Sequence, residues 1–219
     1  MRLLLLLLVS LTLAGQGTDP TRFAGEIAAF ERADSLQPVE PGVALFVGSS
    51  SVRFWESLAE DFPGYRVLNR GFGGSAFSDL LYYADRIVYP YRPGVVFVYE
   101  GDNDIAAGDS PRSVLRQAKQ FRKELAEQLG PEVPVVFISP KPSVARWQLR
   151  ERYEEANERL EHYANRTPHT YFADVWTPAL TSDGEVRDDI FIGDNLHMNA
   201  RGYAIWREVI SPFLDRLVR

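Results

Sequence analysis

Five short runs of β-branched and aromatic residues constrain the fold of this chain more than any other feature. The runs cover residues 43–47, 65–69, 95–99, 135–138 and 170–173. Three of them are almost continuously apolar, which is typical of strands buried on both faces of a parallel sheet. Because helical patterns lie between the runs, the sequence predicts a three-layer α/β/α sandwich with a five-stranded parallel sheet.

The helical patterns show where the outer layers of this sandwich begin and end. Apolar residues recur at helical spacing in four segments, which are 21–36, 110–129, 149–163 and 203–217. Ser110 and Pro111 are typical of a helix start, and Gly130 of a helix end. Pro212 is predicted to kink or restart the last helix, because proline has no backbone N–H to donate.

The composition excludes several kinds of chemistry. The 219 residues include no cysteine and only three histidines, so disulfides, a thiolate nucleophile and cysteine-ligated zinc are excluded. The formal net charge of −6 argues against a nucleic-acid partner, which needs a basic surface. We expect no cofactor and one domain over residues 18–219.

The first residues have the pattern of a secretory signal peptide. Arg2 precedes roughly a dozen mostly apolar residues that end near Ala14, a run too short for a membrane-spanning helix. We therefore expect residues 1–17 to be a signal peptide, with cleavage between residues 14 and 17 and a secreted or periplasmic product. Gln16 stands where a lipid anchor needs cysteine, which argues against lipidation.

Polar and glycine-rich segments follow the strands at the edge of the sheet where ligands bind in α/β proteins. These segments are residues 48–52, 71–75 and 100–104, together with residues 194–197 near the end of the chain. Taken together, they resemble the four sequence blocks of the SGNH hydrolases, or GDSL lipase/acylhydrolase family, whose sheet is flavodoxin-like. Residues 48–55 and 139–143 look like a bacterial branch known mainly as inferred esterases.

The resemblance implies catalytic roles for five residues. Ser50 corresponds to the nucleophile, Asp194 and His197 to the rest of a catalytic triad, and Ser50, Gly74 and Asn103 to the oxyanion hole. One departure is that the family's Gly-Asp-Ser is Gly48-Ser49-Ser50 here.

Physical chemistry supports the same residues. A serine hydroxyl needs a base such as imidazole, and a carboxylate three residues before that histidine can orient its ring. Backbone N–H groups and an uncharged amide can stabilise the oxyanion that forms during attack on an ester. The Gly-x-Ser-x-Gly elbow of α/β-hydrolases is missing, because Val52 stands where the second glycine belongs.

Other interpretations of these residues stay open. Ser49 and Ser51 are equally able to cap a helix, and His162 and His169 are expected to be surface residues. The carboxylates that compete with Asp194 are Asp174, Asp183, Asp188 and Asp189. Asp183, Glu185, Asp188 and Asp189 offer oxygens for calcium, although they match no calcium-loop template. Gly71, Gly73 and Gly74 offer a phosphate cradle without a nucleotide-binding pattern.

Several nearby side chains have two alternative interpretations. Trp55, Trp147 and Trp176 either line a substrate pocket or pack against the sheet. Lys141 and Arg146 either attract an anionic substrate or, as we expect, are solvated at the surface. Asp104 is expected to belong to a hydrogen-bonding scaffold around the site.

The resulting hypothesis is a serine esterase that cleaves small-acyl esters, including carbohydrate O-acetyl esters, through an acyl-enzyme. The alternatives are a lysophospholipase or lipolytic acylhydrolase, an acyltransferase with the same triad, and a non-catalytic binding module. The expected partner is a small-molecule or carbohydrate ester, with no nucleic acid and no stable membrane span. The sequence does not indicate the oligomeric state.

Overall fold

A five-stranded parallel sheet forms the centre of the computed structural model, which describes residues 19–218. The strand order is β2-β1-β3-β4-β5, with helices on both faces. The strands are β1 Ala44–Gly48, β2 Val67–Gly71, β3 Val95–Tyr99, β4 Val135–Ile138 and β5 Thr170–Ala173. The three-layer, flavodoxin-like prediction is confirmed. The signal-peptide prediction for residues 1–17 lies outside the described residues.

Eight α-helices lie within residues 19–218. They are α1 Ala24–Leu36, α2 Ser50–Arg53, α3 Leu58–Asp61, α4 Phe77–Ile87, α5 Asp102–Ala106, α6 Pro111–Leu129, α7 Arg150–Ala164 and α8 Ala200–Leu217. Helix α6 begins as its sequence predicts, since the Ser110 side chain accepts a hydrogen bond from the Ser113 backbone. Within residues 19–218, no helix combines the length and apolar character that crossing a membrane requires.

The central strands are buried on both faces, which explains their continuous apolar sequence. In β1, Leu45 and Val47 pack into a core formed with α1, α4, α6 and α7. Ala44 and Phe46 face the opposite core, which contains residues of α2, α3 and α8. The two cores hold the sheet rigid, so its carboxyl edge is a fixed platform for the loops that follow each strand.

Strand β2 begins two residues later than its sequence predicts. It pairs with β1 from Ala44–Val67 to Gly48–Gly71, so the polar residues Asn69 and Arg70 belong to the strand. Their side chains are satisfied locally: the Asn69 amide donates to the Val52 carbonyl at 2.6 Å, and Nε of Arg70 donates to the Tyr91 hydroxyl at 2.7 Å. These hydrogen bonds, rather than an apolar pattern, stabilise this part of the strand.

Two helical features also differ from the sequence expectations. Helix α4 was not predicted, although Phe77, Leu80, Ala84 and Ile87 have helical spacing and are buried. Of the kink or restart expected at Pro212, the restart is wrong, because α8 is one helix across this residue. Ile210 and Leu214, on either side of Pro212, are fully buried in the same core, and this packing outweighs the lost hydrogen bond.

Candidate active site

The loop after β1 places Ser50 at the carboxyl edge of the sheet. Gly48 has φ of +129°, and a Cβ atom there would lie 2.1 Å from the Tyr99 carbonyl oxygen of β3. Only glycine allows this approach, which lets the Ser49 N–H donate to the same carbonyl at 3.1 Å. The chain then turns directly into α2, whose first residue is Ser50.

Ser50, His197 and Asp194 are connected in one hydrogen-bonded chain. Nε2 of His197 lies 2.9 Å from the Ser50 hydroxyl oxygen, and Nδ1 lies 2.5 Å from Oδ2 of Asp194. The structure therefore brings together the three residues that the sequence indicated. Because an ionised carboxylate only accepts hydrogen bonds, Nδ1 carries the proton and Nε2 is free to accept the proton of Ser50.

The Asp194 carboxylate is held by its own loop. Burial opposes its charge, but hydrogen bonds from the His197 side chain and from two backbone N–H groups lower its pKa to about 2. Those backbone donors are Leu196 and His197, each at 2.9 Å from Oδ1. Asn199 caps the following helix α8. The carboxylate therefore stays ionised across the neutral and mildly acidic range.

Backbone N–H groups at two positions predicted for the oxyanion hole are without an acceptor within residues 19–218. They belong to Ser50, at the start of α2, and to Gly74, in the loop after β2. Gly74 has φ of +78° and is exposed, so its peptide faces solvent in a conformation that favours glycine. Both donors are therefore available to a ligand oxygen.

The Asn103 side chain lies between the loops after β1, β2 and β3. Its Nδ2 donates to the Ser49 hydroxyl at 2.6 Å and to the Ser75 carbonyl at 2.8 Å. The Ser49 hydroxyl is thus an acceptor for the amide. A negatively charged ligand oxygen would compete with this neutral hydroxyl for the N–H.

Two buried carboxyl groups support the same loops. Asp104 accepts backbone hydrogen bonds from Phe77 at 3.1 Å and Gly101 at 3.0 Å, and burial raises its pKa to about 6 despite these bonds. Glu100 accepts a hydrogen bond from the Ser75 hydroxyl at 2.6 Å, and burial followed by repulsion from Asp104 raises its pKa well above the ordinary value. The position of Asp104 agrees with the expected scaffold.

The expectation that Lys141 and Arg146 are solvated at the surface is wrong, because Lys141 is buried and Arg146 is half-buried. Lys141 is 3% exposed and its Nζ lies 3.7 Å from the buried carboxylate of Asp102, while an Arg146 nitrogen lies 2.5 Å from it. Burial opposes the charge of Asp102, but these two cations lower its pKa. Both are counterions of an internal carboxylate, because a buried charge requires a partner.

Other aromatic side chains pack against each of the tryptophans Trp55, Trp147 and Trp176. Trp55 is 1% exposed and lies against Phe62 and Trp206, so packing is its role here. Trp176 is buried and stacks on Trp147, whose indole N–H donates to Glu185 at 2.9 Å. None of these contacts involves Ser50 or His197.

The competing site residues lie elsewhere. His162 is exposed on α7, and His169 pairs with Glu132 before β5, at the opposite edge of the sheet. Asp174 accepts hydrogen bonds from Trp176 and Thr177, and Asp189 pairs with Arg187 and Arg201. In the described part of the chain, no group of three or more histidine or acidic side chains has a metal-binding arrangement.

Two exposed apolar side chains next to His197 were not predicted from the sequence. Phe54 is 44% exposed and Ile192 is 49% exposed. The Phe54 ring contacts the His197 imidazole, and the Ile192 N–H donates to the His197 carbonyl at 2.9 Å. The signal was the position of Phe54, four residues after Ser50 and so one helical turn away.

Comparisons with known structures identify the same fold. A Streptococcus pneumoniae protein, described as a candidate platelet activating factor, superposes with a TM-score of 0.77, 20% identity and coverage of 87% of this chain and 92% of that one. A GDSL-like lipase from Bacteroides thetaiotaomicron superposes with a TM-score of 0.72, 19% identity and coverage of 90% of this chain and 98% of that one. A variant of an acetyl-xylooligosaccharide esterase from Geobacillus superposes with a TM-score of 0.63, 14% identity and coverage of 82% of this chain and 95% of that one.

Sequence comparisons add the family. No curated protein sequence matches the chain. The model of the GDSL-like lipase/acylhydrolase family matches residues 40–205, which include all five strands and every residue of the hydrogen-bonded chain. The protein therefore belongs to the GDSL-like lipase/acylhydrolase family and is a carboxylic ester hydrolase.

Proposed function

We propose that the protein hydrolyses small-acyl esters through an acyl-enzyme on Ser50, with His197 as the general base and Asp194 as the residue that orients it. The observation that carries this proposal is the pair of short contacts through His197, 2.9 Å to Ser50 and 2.5 Å to Asp194. Such a geometry activates a hydroxyl that is otherwise a weak nucleophile.

The reaction balances with these groups alone. His197 Nε2 takes the Ser50 proton as Oγ bonds to the carbonyl carbon, and it returns that proton to the departing alkoxide as the carbon–oxygen bond breaks. Nε2 then takes a proton from water as the water oxygen bonds to the acyl carbon. Oγ leaves with that proton, and the acid product is released.

The oxyanion formed in both steps would lie between the N–H groups of Ser50 and Gly74 and the amide of Asn103. The two backbone donors are without other acceptors in residues 19–218, and the Asn103 N–H now on Ser49 is the third. Each such donor contributes about 3 kcal/mol to transition-state stabilisation. No charged donor is needed.

Solvent access favours hydrolysis over acyl transfer. The side chains of His197 and Asp194 are 21% and 43% exposed, so water reaches the base directly. An acyltransferase must instead keep water away from its acyl-enzyme.

The cavities near the site favour a small acyl group. The cavity of about 490 Å³ beside α2 is lined by residues such as Arg53 and Trp55 and not by Ser50 or His197. The cavity lined by Lys141, Ile190 and Met198 has only about 10 Å³, room for about one water molecule. The likeness to an acetyl-xylooligosaccharide esterase supports a carbohydrate O-acetyl ester as the substrate class.

We also propose that residues 1–17 direct export. Their support is the charged and apolar pattern of the sequence alone. Amino-terminal sequencing of the protein recovered from a bacterial periplasm should find a start between residues 15 and 18. An intact Met1 in that fraction would refute cleavage.

The test of the catalytic proposal is Ser50→Ala, with the neighbouring Ser51→Ala as the matched control. Ser50→Ala should lower kcat on p-nitrophenyl acetate at least about ten-thousandfold and abolish labelling by a fluorophosphonate. Ser51→Ala should keep both. Substrates from acetate to palmitate, together with an acetylated xylo-oligosaccharide, then define the acyl range. Labelling of the Ser50→Ala protein would disprove the assignment, and a preference for palmitate would disprove the small-acyl substrate.

A further inference from the structure

A buried carboxylate directly precedes the proposed oxyanion amide in the sequence. Asp102, the residue before Asn103, is 4% exposed and accepts hydrogen bonds at 2.8 Å from the hydroxyls of Tyr99 and Tyr153. Two tyrosines and two cations surround it, so its position is determined from several elements of the fold. A buried ion with this many partners is rigid.

Arg146 connects this carboxylate to the amide itself. One guanidinium nitrogen, Nη1, lies 2.5 Å from Oδ1 of Asp102, and the other, Nη2, donates to Oδ1 of Asn103 at 3.0 Å. The planar fork of arginine thus spans two adjacent side chains. Lysine has a point charge and could serve one of them only.

The contact has two effects on Asn103. It fixes which end of the amide is the oxygen, so Nδ2 must face Ser49 and Ser75 on the other side. It also withdraws electron density from the amide oxygen through a charge-assisted hydrogen bond, which strengthens the N–H groups as donors. Both effects improve a donor whose target is a negative oxygen.

We propose that Arg146, held by Asp102, is the positioning residue of the oxyanion hole, acting on the reaction through the amide of Asn103. The inference rests on the proposed function, since it assigns a task to Arg146 only if Asn103 is an oxyanion donor. Arg146 does not contact the substrate in this role.

The same carboxylate also reaches the other half of the site. Lys141, its second cation, donates to the Leu196 carbonyl at 2.8 Å, within the loop that carries Asp194 and His197. The segment after β4 adds a bond from the Ala145 N–H to the Asn195 carbonyl at 3.1 Å. Asp102 therefore fixes the oxyanion amide and the triad loop relative to each other.

The test is a double-mutant cycle of Arg146→Lys with Asn103→Ala, measured on p-nitrophenyl acetate. The lysine keeps a cation beside Asp102 but cannot also bind Asn103. We expect Arg146→Lys to lower kcat about tenfold, with KM within about twofold and Tm within about 2 °C of the parent. Asn103→Ala should lower kcat about 100- to 1,000-fold, and adding Arg146→Lys to it should cause no further loss.

Arg150→Lys is the matched control, because Arg150 pairs with Glu154 and does not contact Asn103. Arg146→Gln, which keeps a donor without the charge, repeats the cycle if the lysine variant fails to fold. Multiplicative losses in the double variant, a change in KM alone, or unchanged kcat in Arg146→Lys would each overturn the proposal. Fluorophosphonate labelling of Ser50 in every variant shows separately whether the proposed nucleophile stands.

Discussion

The ring of Phe54 meets the imidazole of His197 edge to face, with ring centres 5.0 Å apart and an interplanar angle of 76°. Such a contact contributes about 0.5–1.5 kcal/mol, so Phe54→Ala should lower kcat/KM on p-nitrophenyl acetate about two- to tenfold. Steady-state kinetics at neutral pH measure the change. Phe54→Leu, which keeps most of the volume, should lose less.

Tyr82→Ala is the matched control for this prediction. Tyr82 is another exposed aromatic side chain, on α4, and it packs against Tyr83 rather than against the triad. Its loss should leave kcat/KM unchanged. Equal effects at Phe54 and Tyr82 would show that the contact with His197 has no kinetic role.

A second prediction concerns the carboxyl group of Glu100, which lies against the loop after β2. Burial, and then repulsion from Asp104, raise its pKa well above 4.5 in the folded protein, so the folded state binds a proton that the unfolded state releases. Stability from this group is therefore present below pH 4.5 and is lost as pH rises through the folded pKa. Glutamine does not titrate, so the Tm of Glu100→Gln should rise relative to that of the parent as pH increases from 4.5.

Thermal unfolding of both proteins between pH 4.5 and 8 measures this difference. The amide oxygen of glutamine can still accept the hydrogen bond from Ser75. Glu60→Gln, at an exposed position on α3, is the matched control for the substitution itself. A Tm difference for Glu100→Gln that shrinks with rising pH would contradict a raised pKa.

A third prediction separates steric conflict from backbone strain at glycine. Gly48 and Gly64 both have positive φ, but a Cβ at Gly48 would lie 2.1 Å from the Tyr99 carbonyl oxygen, whereas nothing lies within 4 Å at Gly64. Gly64→Ala should cost about 1–2 kcal/mol from φ alone. Gly48→Ala should cost more than about 3 kcal/mol and reduce soluble yield. Urea unfolding compares them, and equal losses would show that the two strands separate easily.

The strands and the order of the site residues could be predicted from the sequence, because both depend on local patterns. Apolar runs indicated β3 and β4 to the residue, and the polar segments after the strands indicated the edge where Ser50 and His197 meet. Parallel pairing brings the ends of successive strands to one edge whatever the loops between them do.

The environment of the charged residues could not be predicted in the same way. Lys141 and Arg146 follow a strand in a segment with two prolines, a composition typical of a surface loop. Lys141 is buried and Arg146 is half-buried because Asp102, 44 positions before Arg146, requires counterions. Pairing at such a sequence separation has no local pattern, and the same holds for Asn69 and Arg70 in β2.

The two ends of the hydrogen bond between Ser50 and His197 are 147 positions apart in the chain. Ser50 follows the first strand, whereas His197 lies three residues before the last helix, so a chain whose final segment is not yet docked can pair every strand and yet lack the proposed base. Recovery of esterase activity during refolding therefore times the docking of α8, while circular dichroism follows the sheet and the earlier helices. A lag of activity behind the spectroscopic signal would identify that docking as the last step of maturation.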